Sequence, residues 1–378
     1  MWILLIVIGL PTVAYLAFRA APHLLGLYDR ALRNQRERVD PAYELPVYAR
    51  RDLSAKWPGW DGWYLLMIPQ ERDVPFRAIR VSIMTGLYGL DGIDDYAELH
   101  GLSPFEAIEY LVMLQTDTNS HLFQRYLPKQ TDLAIRREQL LVVVKDWGEI
   151  GGEWPHYRVQ MREPEAGIEL SLDYNGKHLV WWADFPHLFT YFAAFGELQG
   201  TLSLNGQEYR VTGVGSFEHG FARKPFNFDP LLKPLRALQR LVPFTLMHYH
   251  YNLLFGADGL HGGMMLAQGL GVDFRNLGGI YLSDGRFIRL ENMTIEYLEM
   301  ERIDHGASSP AVAFPKQWVV RAQAGAGSFE YRALRESPPA LIARNMIYCD
   351  FLFTGTYRAP RAAAVEISGR GYGEYVRM

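Results

Sequence analysis

The densest polar grouping in the chain is Gly213-Val214-Gly215-Ser216-Phe217-Glu218-His219-Gly220-Phe221-Ala222-Arg223. A carboxylate beside an imidazole suits general acid–base work, because the acid holds one ring tautomer while the other ring nitrogen exchanges a proton. On a regular strand His219 and Phe221 share one face and Glu218 takes the other, so joint action needs a bend at the flanking glycines. The competing reading is a His that bridges two strands and a Glu paired with Arg223. A second grouping is His248-Tyr249-His250-Tyr251, where the two imidazoles share one strand face and the two phenols the other. His-x-His can supply two metal ligands, with a third from His219, Glu218 or His261. The spacing does not select one, and the default is a ligand cavity with a polar floor and no metal. Third, the adjacent Trp181 and Trp182 put one indole on each face of a strand, one lining a cavity and one packing outside.

The elements that must carry these groups are mainly β. Short apolar-aromatic runs bounded by turn residues recur from residue 57 onward, among them 62–68, 76–84, 139–147, 156–161, 168–174, 179–185 and 197–217. Asn205-Gly206, set between alternating runs, is the strongest hairpin signal, since a type I′ turn needs positive φ at both central residues. Two helices are expected to interrupt the strands. One runs from about 104 to 115, behind the capping box Ser103-Pro104-Phe105-Glu106. The other covers 230–242, with Leu231, Leu235, Leu238 and Val242 on one stripe and Lys233, Arg236 and Arg240 opposite. The helix would lay that basic face on an anionic membrane surface, or cover a barrel end with its polar side in water. Two segments of similar length, 57–217 and 218–378, match two barrels or one long double sandwich.

Ahead of them, residues 2–18 carry no charge, and as a helix of about 25 Å they read as a transmembrane anchor spanning 1–22. An Arg-rich helical linker, 23–56, follows. Arg19, Arg30, Arg33, Arg36 and Arg38 place the body on the cytoplasmic face of the inner membrane. A cleaved signal peptide and a helix packed on the domain are the alternatives. Hydrophobic residues make up 49% and charged ones 21%, which excludes a disordered chain and a multi-span membrane protein. A net charge of −4 gives no footing for nucleic acid. The single cysteine, Cys349, excludes an intrachain disulfide and a multi-cysteine zinc site. No P-loop, GxSxG elbow or HExxH motif is present, and no cofactor is implied.

The run from Gly200 through Tyr209 to Gly213-Val214-Gly215-Ser216-Phe217-Glu218-His219-Gly220 resembles the centre of the AttH-type and carotenoid 1,2-hydratase (hydroxyneurosporene synthase) lipocalin-like family. There a hairpin ending in Tyr leads into a Gly-rich acidic-His motif. The closing Gly369-Arg370-Gly371-Tyr372-Gly373-Glu374-Tyr375 resembles that family's last strand, as does the Asp258-Gly259 turn. The resemblance implies two consecutive lipocalin-like β-barrels around an apolar ligand. In the hydratases an acidic-His pair followed by Trp, and a later Asp, serve to protonate an isolated C=C and deliver water. Glu218 and His219 match the pair, Phe221 stands at the Trp position, and His250 falls near the Asp. Phe offers a weaker π face to a cation, and His is a weaker acid than a carboxyl group.

The reading that results is a membrane-tethered protein acting on an isoprenoid-like or other lipidic molecule by hydration, isomerisation or cyclisation. Glu218, His219 and His250 are its catalytic candidates. Phe221, His248, Tyr249, Tyr251, Trp181 and Trp182 are the substrate-binding candidates, and a non-catalytic lipid carrier on the same fold is the alternative.

Overall fold

The computed structural model describes residues 60–71, 73–86, 97–103, 106–136, 140–185, 189–222, 247–269, 272–303, 312–343 and 346–377. The expected anchor at 2–18, the linker to residue 56 and the basic helix at 230–242 lie outside them. Among the described residues no helix is long and apolar enough to cross a membrane.

The protein is mainly β, built from two barrel-like sheets. The first begins with β1 (Trp60–Pro69), β2 (Phe76–Thr85), β3 (Ala107–Thr116) and β4 (Ser120–Pro128). It continues with β5 (Leu133–Arg136), β6 (Leu140–Val144), β7 (Gly148–Glu153) and β8 (His156–Glu163). It ends with β9 (Ile168–Phe185), β10 (Phe189–Leu204) and β11 (Gln207–Ala222), and β11 returns to pair with β1. A single helical turn, Lys129–Asp132, joins β4 to β5 at the two sheet ends. The second sheet holds β12 (Met247–Gly256), β13 (His261–Gly269), β14 (Val272–Tyr281), β15 (Phe287–Ile303) and β16 (Val312–Ala324). It is completed by β17 (Gly327–Arg335), β18 (Ala340–Ala343), β19 (Met346–Arg358) and β20 (Ala364–Arg377). Pairing of β17 with the later half of β19 closes this sheet into a ring, with β18 on the earlier half of β19. The first sheet runs through Ala222, past the expected break at 217/218, so Glu218 and His219 sit on its last strand.

Burial explains two sequence patterns. Strands away from the junction bury one face and alternate: Ile168, Leu170, Leu172 and Tyr174 point inward on β9, while Glu169 and Asp173 stay in water. Strands at the junction bury both. On β1, Trp63, Leu65 and Met67 fill the first barrel, and Tyr64, Leu66 and Ile68 face the second sheet. Such strands read as continuous apolar runs. The expected helix at 104–115 is corrected on this ground, because residues 107–116 form the junction strand β3. Burial of both its faces hides the period of two, and Ser103 closes only a turn, accepting from the Glu106 N–H at 2.9 Å. The expected runs 168–174 and 179–185 are one strand, β9, which pairs with β10 through two register shifts.

The apolar core between the sheets is clamped at one edge. Arg77 donates from Nε to Asp350 at 2.7 Å and from Nη1 to Asp117 at 2.5 Å, and it also pairs with Glu336. Arg370 reaches back from β20 to the carbonyl of Arg77 at 2.8 Å.

The hairpin at Asn205-Gly206 has the backbone its sequence predicts, with φ of +51° and +81°. Gly215 has a different role. A Cβ there would lie 1.9 Å from the Leu66 carbonyl oxygen, so β1 and β11 pair this closely only without a side chain. Gly215→Ala should therefore lower stability by about 1–3 kcal/mol, read as a lower urea midpoint. An unchanged midpoint would mean that this strand pair tolerates a wider spacing.

Candidate active site between the two sheets

Strand alternation sends Glu218 and His219 to opposite faces of β11. Glu218 enters the junction between the sheets, where its Oε2 accepts from Tyr191 at 2.6 Å and from Tyr251 of the second sheet at 2.9 Å. Its Oε1 accepts from Ser216 at 3.1 Å. His219 turns into the first barrel, where its Nε2 lies 2.8 Å from Asp61 Oδ1 and its ring stacks on Trp63 at 5.1 Å.

The junction collects further charge around Glu218. Arg80 of β2 is 1% exposed, with Nη1 3.9 Å from Glu218 and Nη2 3.9 Å from Glu374 of β20. Its guanidinium lies 4.2 Å from the ring centre of Tyr348, 5.2 Å from Tyr64 and 5.4 Å from Tyr372, within cation–π range of all three. Glu109 of β3 is fully buried in the same core and accepts from Gln124, which also donates to the Tyr126 hydroxyl at 3.0 Å. Three carboxyl groups thus share one buried cation.

Desolvation decides their protonation. Burial pushes the carboxyl groups of Glu109 and Glu374 up to about 7, with Arg80 opposing the rise in both. Glu218 adds repulsion to Glu374, and Glu374 adds it to Glu109. Burial and the same carboxylates hold Tyr64, Tyr191, Tyr249 and Tyr348 well above the ordinary phenol value. The junction therefore offers two carboxyl groups that exchange protons near neutrality, among phenols that stay protonated and can donate hydrogen bonds. Arg80 Nε and Nη1 have no hydrogen-bond partner among the described residues.

Of the expected site residues, Glu218, Tyr249 and Tyr251 meet in this junction. His219 lies in the first barrel instead. His250 points into the second, against Tyr297, Trp318 and Tyr375. His261 sits elsewhere between the sheets, with Nε2 2.5 Å from His178 Nδ1. Among the described residues no three His, Cys, Asp or Glu side chains converge as metal ligands. Phe221, His248, Trp181 and Trp182 belong to β11, β12 and β9, and their side chains lie outside the described residues. Arg80, Glu109, Glu374, Asp61 and Tyr191 were missed by the sequence analysis. A signal existed for two of them: Arg80 in FRAIRVSIM and Glu109 in AIEYLVMLQT are charges inside otherwise apolar strands.

Proton linkage at this site has a definite sign. A carboxyl group with a folded value near 7 and an ordinary unfolded value binds more protons when folded. Its contribution is thus full at acid pH and declines as pH rises from about 4.5 through 7. Tm should fall between pH 5 and pH 8, and Glu374→Gln should flatten that fall and raise Tm at pH 8. An unaltered pH profile in the variant would place the titrating groups elsewhere.

Comparison with known proteins bears on the fold. A family of unknown function, DUF6670, matches residues 109–251. No curated protein sequence matches the chain. A Nitrosomonas europaea protein assigned as AttH superposes over 84% of this chain and 92% of its own, with a TM-score of 0.57 and 14% identity. Kievitone hydratase from Nectria haematococca covers 89% and 94%, with a TM-score of 0.57 and 11% identity. CghA covers 85% and 88%, with a TM-score of 0.51 and 10% identity. The chain has an AttH-like, lipocalin-like fold.

Proposed function

We propose that the junction is the active site of an acid–base enzyme acting on an apolar, isoprenoid-like or other lipidic substrate. The observation that carries this reading is the pair Glu109 and Glu374, two buried carboxyl groups held near pH 7 in a desolvated, tyrosine-rich core. A general acid works best with its pKa near the working pH. Glu374 is the proton donor, since it lies beside Arg80 and in register with Tyr251 and Tyr348. Glu218, held by Tyr191, Tyr251 and Ser216, keeps the guanidinium in place. The open N–H groups of Arg80 hold an oxygen atom, of the substrate or of an added water. Proton donation to a polarised C=C or carbonyl then starts water addition, isomerisation or ring closure. A hydratase among proteins of the same fold supports the first of these.

The uncharged run 2–18 and the arginines after it support a protein held at the cytoplasmic face of a membrane, where such a substrate dissolves. A second reading puts the chemistry inside the first barrel, and the buried Asp61–His219 pair under Trp63 favours it. There Asp61 would fix the His219 tautomer and His219 would carry the proton.

The test begins with full-length protein in mild detergent, organic extraction and mass spectrometry to obtain the ligand. With that substrate, Glu374→Gln should cut kcat by about 10²–10⁴-fold while still co-purifying with it. Wild-type activity should fall as pH rises through about 7, where Glu374 loses its proton. Normal turnover by Glu374→Gln together with an inactive His219→Ala would move the site into the first barrel. Ligand retention with no turnover of it by the wild type would leave a carrier.

A further inference from the structure

The interior of the second barrel contains a polar side chain that the junction does not use. On β12, Tyr251, Leu253 and Phe255 face the first sheet, so Asn252 faces inward. Asn252 stands in register with Met264 of β13 and Gly373 of β20, and Met264 belongs to the core drawn from every strand of the ring. Its amide is 0% exposed, and neither Oδ1 nor Nδ2 has a hydrogen-bond partner among the described residues. An amide withdrawn from water with no compensating bond destabilises the fold unless a partner reaches it.

The amide borders a glycine and an aromatic ring. A Cβ at Gly373 would sit 3.4 Å from both Asn252 Oδ1 and Phe351 Cε1, so this missing side chain borders the amide. Phe351 meets Trp318 at 4.9 Å between ring centres, and Trp318 meets His250 at 4.9 Å. Aromatic rings thus extend from beside the amide to His250, and a ring of eight strands has an interior that side chains fill or that holds one small ligand.

We infer that the second barrel is a binding site, separate from the junction, for a small molecule with a neutral head that accepts from Asn252 Nδ2 and donates to Oδ1. A carboxamide or an undissociated carboxylic acid on a short apolar body has that chemistry. An isolated ion does not, since the neutral amide supplies no countercharge.

Hexanamide is the probe, titrated into full-length protein by calorimetry and followed by its effect on Tm. The wild type should bind it and gain Tm. Asn252→Leu, which removes both polar atoms at similar volume, should stay folded with equal or higher Tm and lose at least tenfold in affinity. Gly373→Ala should weaken binding while leaving the amide intact. Glu374→Gln, altered only at the junction, should bind as the wild type does, which separates this site from the proposed active site. Equal affinity in Asn252→Leu would overturn the inference. So would no binding by the wild type, or a crystal structure with the probe showing only ordered water at Asn252.

Discussion

A single buried guanidinium, that of Arg80, sets the terms for the centre of this protein. It is withdrawn from water between two sheets with Glu218 and Glu374 as its near carboxylates, and Glu109 shares the same core. Removing a charge from water costs several kcal/mol unless a partner and further hydrogen bonds replace the solvent. Loss of water lifts the carboxyl groups of Glu109 and Glu374 to about 7, Arg80 opposes the rise, and repulsion from a neighbouring carboxylate adds a smaller push to each. Glu218 instead accepts hydrogen bonds from three hydroxyl groups.

This arrangement needs both sheets. Arg80, Glu109 and Glu218 come from the first, and Tyr251, Tyr348, Tyr372 and Glu374 from the second. Register brings Tyr251, Glu374 and Tyr348 into one row across β12, β20 and β19. The apolar rows around them exclude water, and the Arg77–Asp350 clamp and the Arg370 contacts hold the sheets together at the edge. The same desolvation therefore binds the two halves together and tunes the carboxyl groups. A substitution that loosens the junction acts on both.

The strands, the Asn205-Gly206 hairpin and the mainly β class were legible because each depends on local chemistry: alternation, positive φ, turn residues. The helix at 104–115 was misread because a strand buried on both faces loses its alternation, and a capping motif cannot outweigh burial of Ile108, Tyr110, Leu111 and Val112. Within the site, Glu218 and Tyr251 were legible as a dense polar motif and an aromatic strand. Their partners were not, because Arg80 and Glu374 lie far from them in sequence. Adjacent numbering also misled: Glu218 and His219 are neighbours in the chain, yet a strand sends them to opposite faces, into separate environments.

By itself the sequence determined which residue types could do chemistry and which segments would be strands, since both follow from side chains and their nearest neighbours. Tertiary structure alone decided which groups meet. Protonation near neutrality depends on loss of water and on charges brought in from distant strands, and neither exists until the two sheets close on each other.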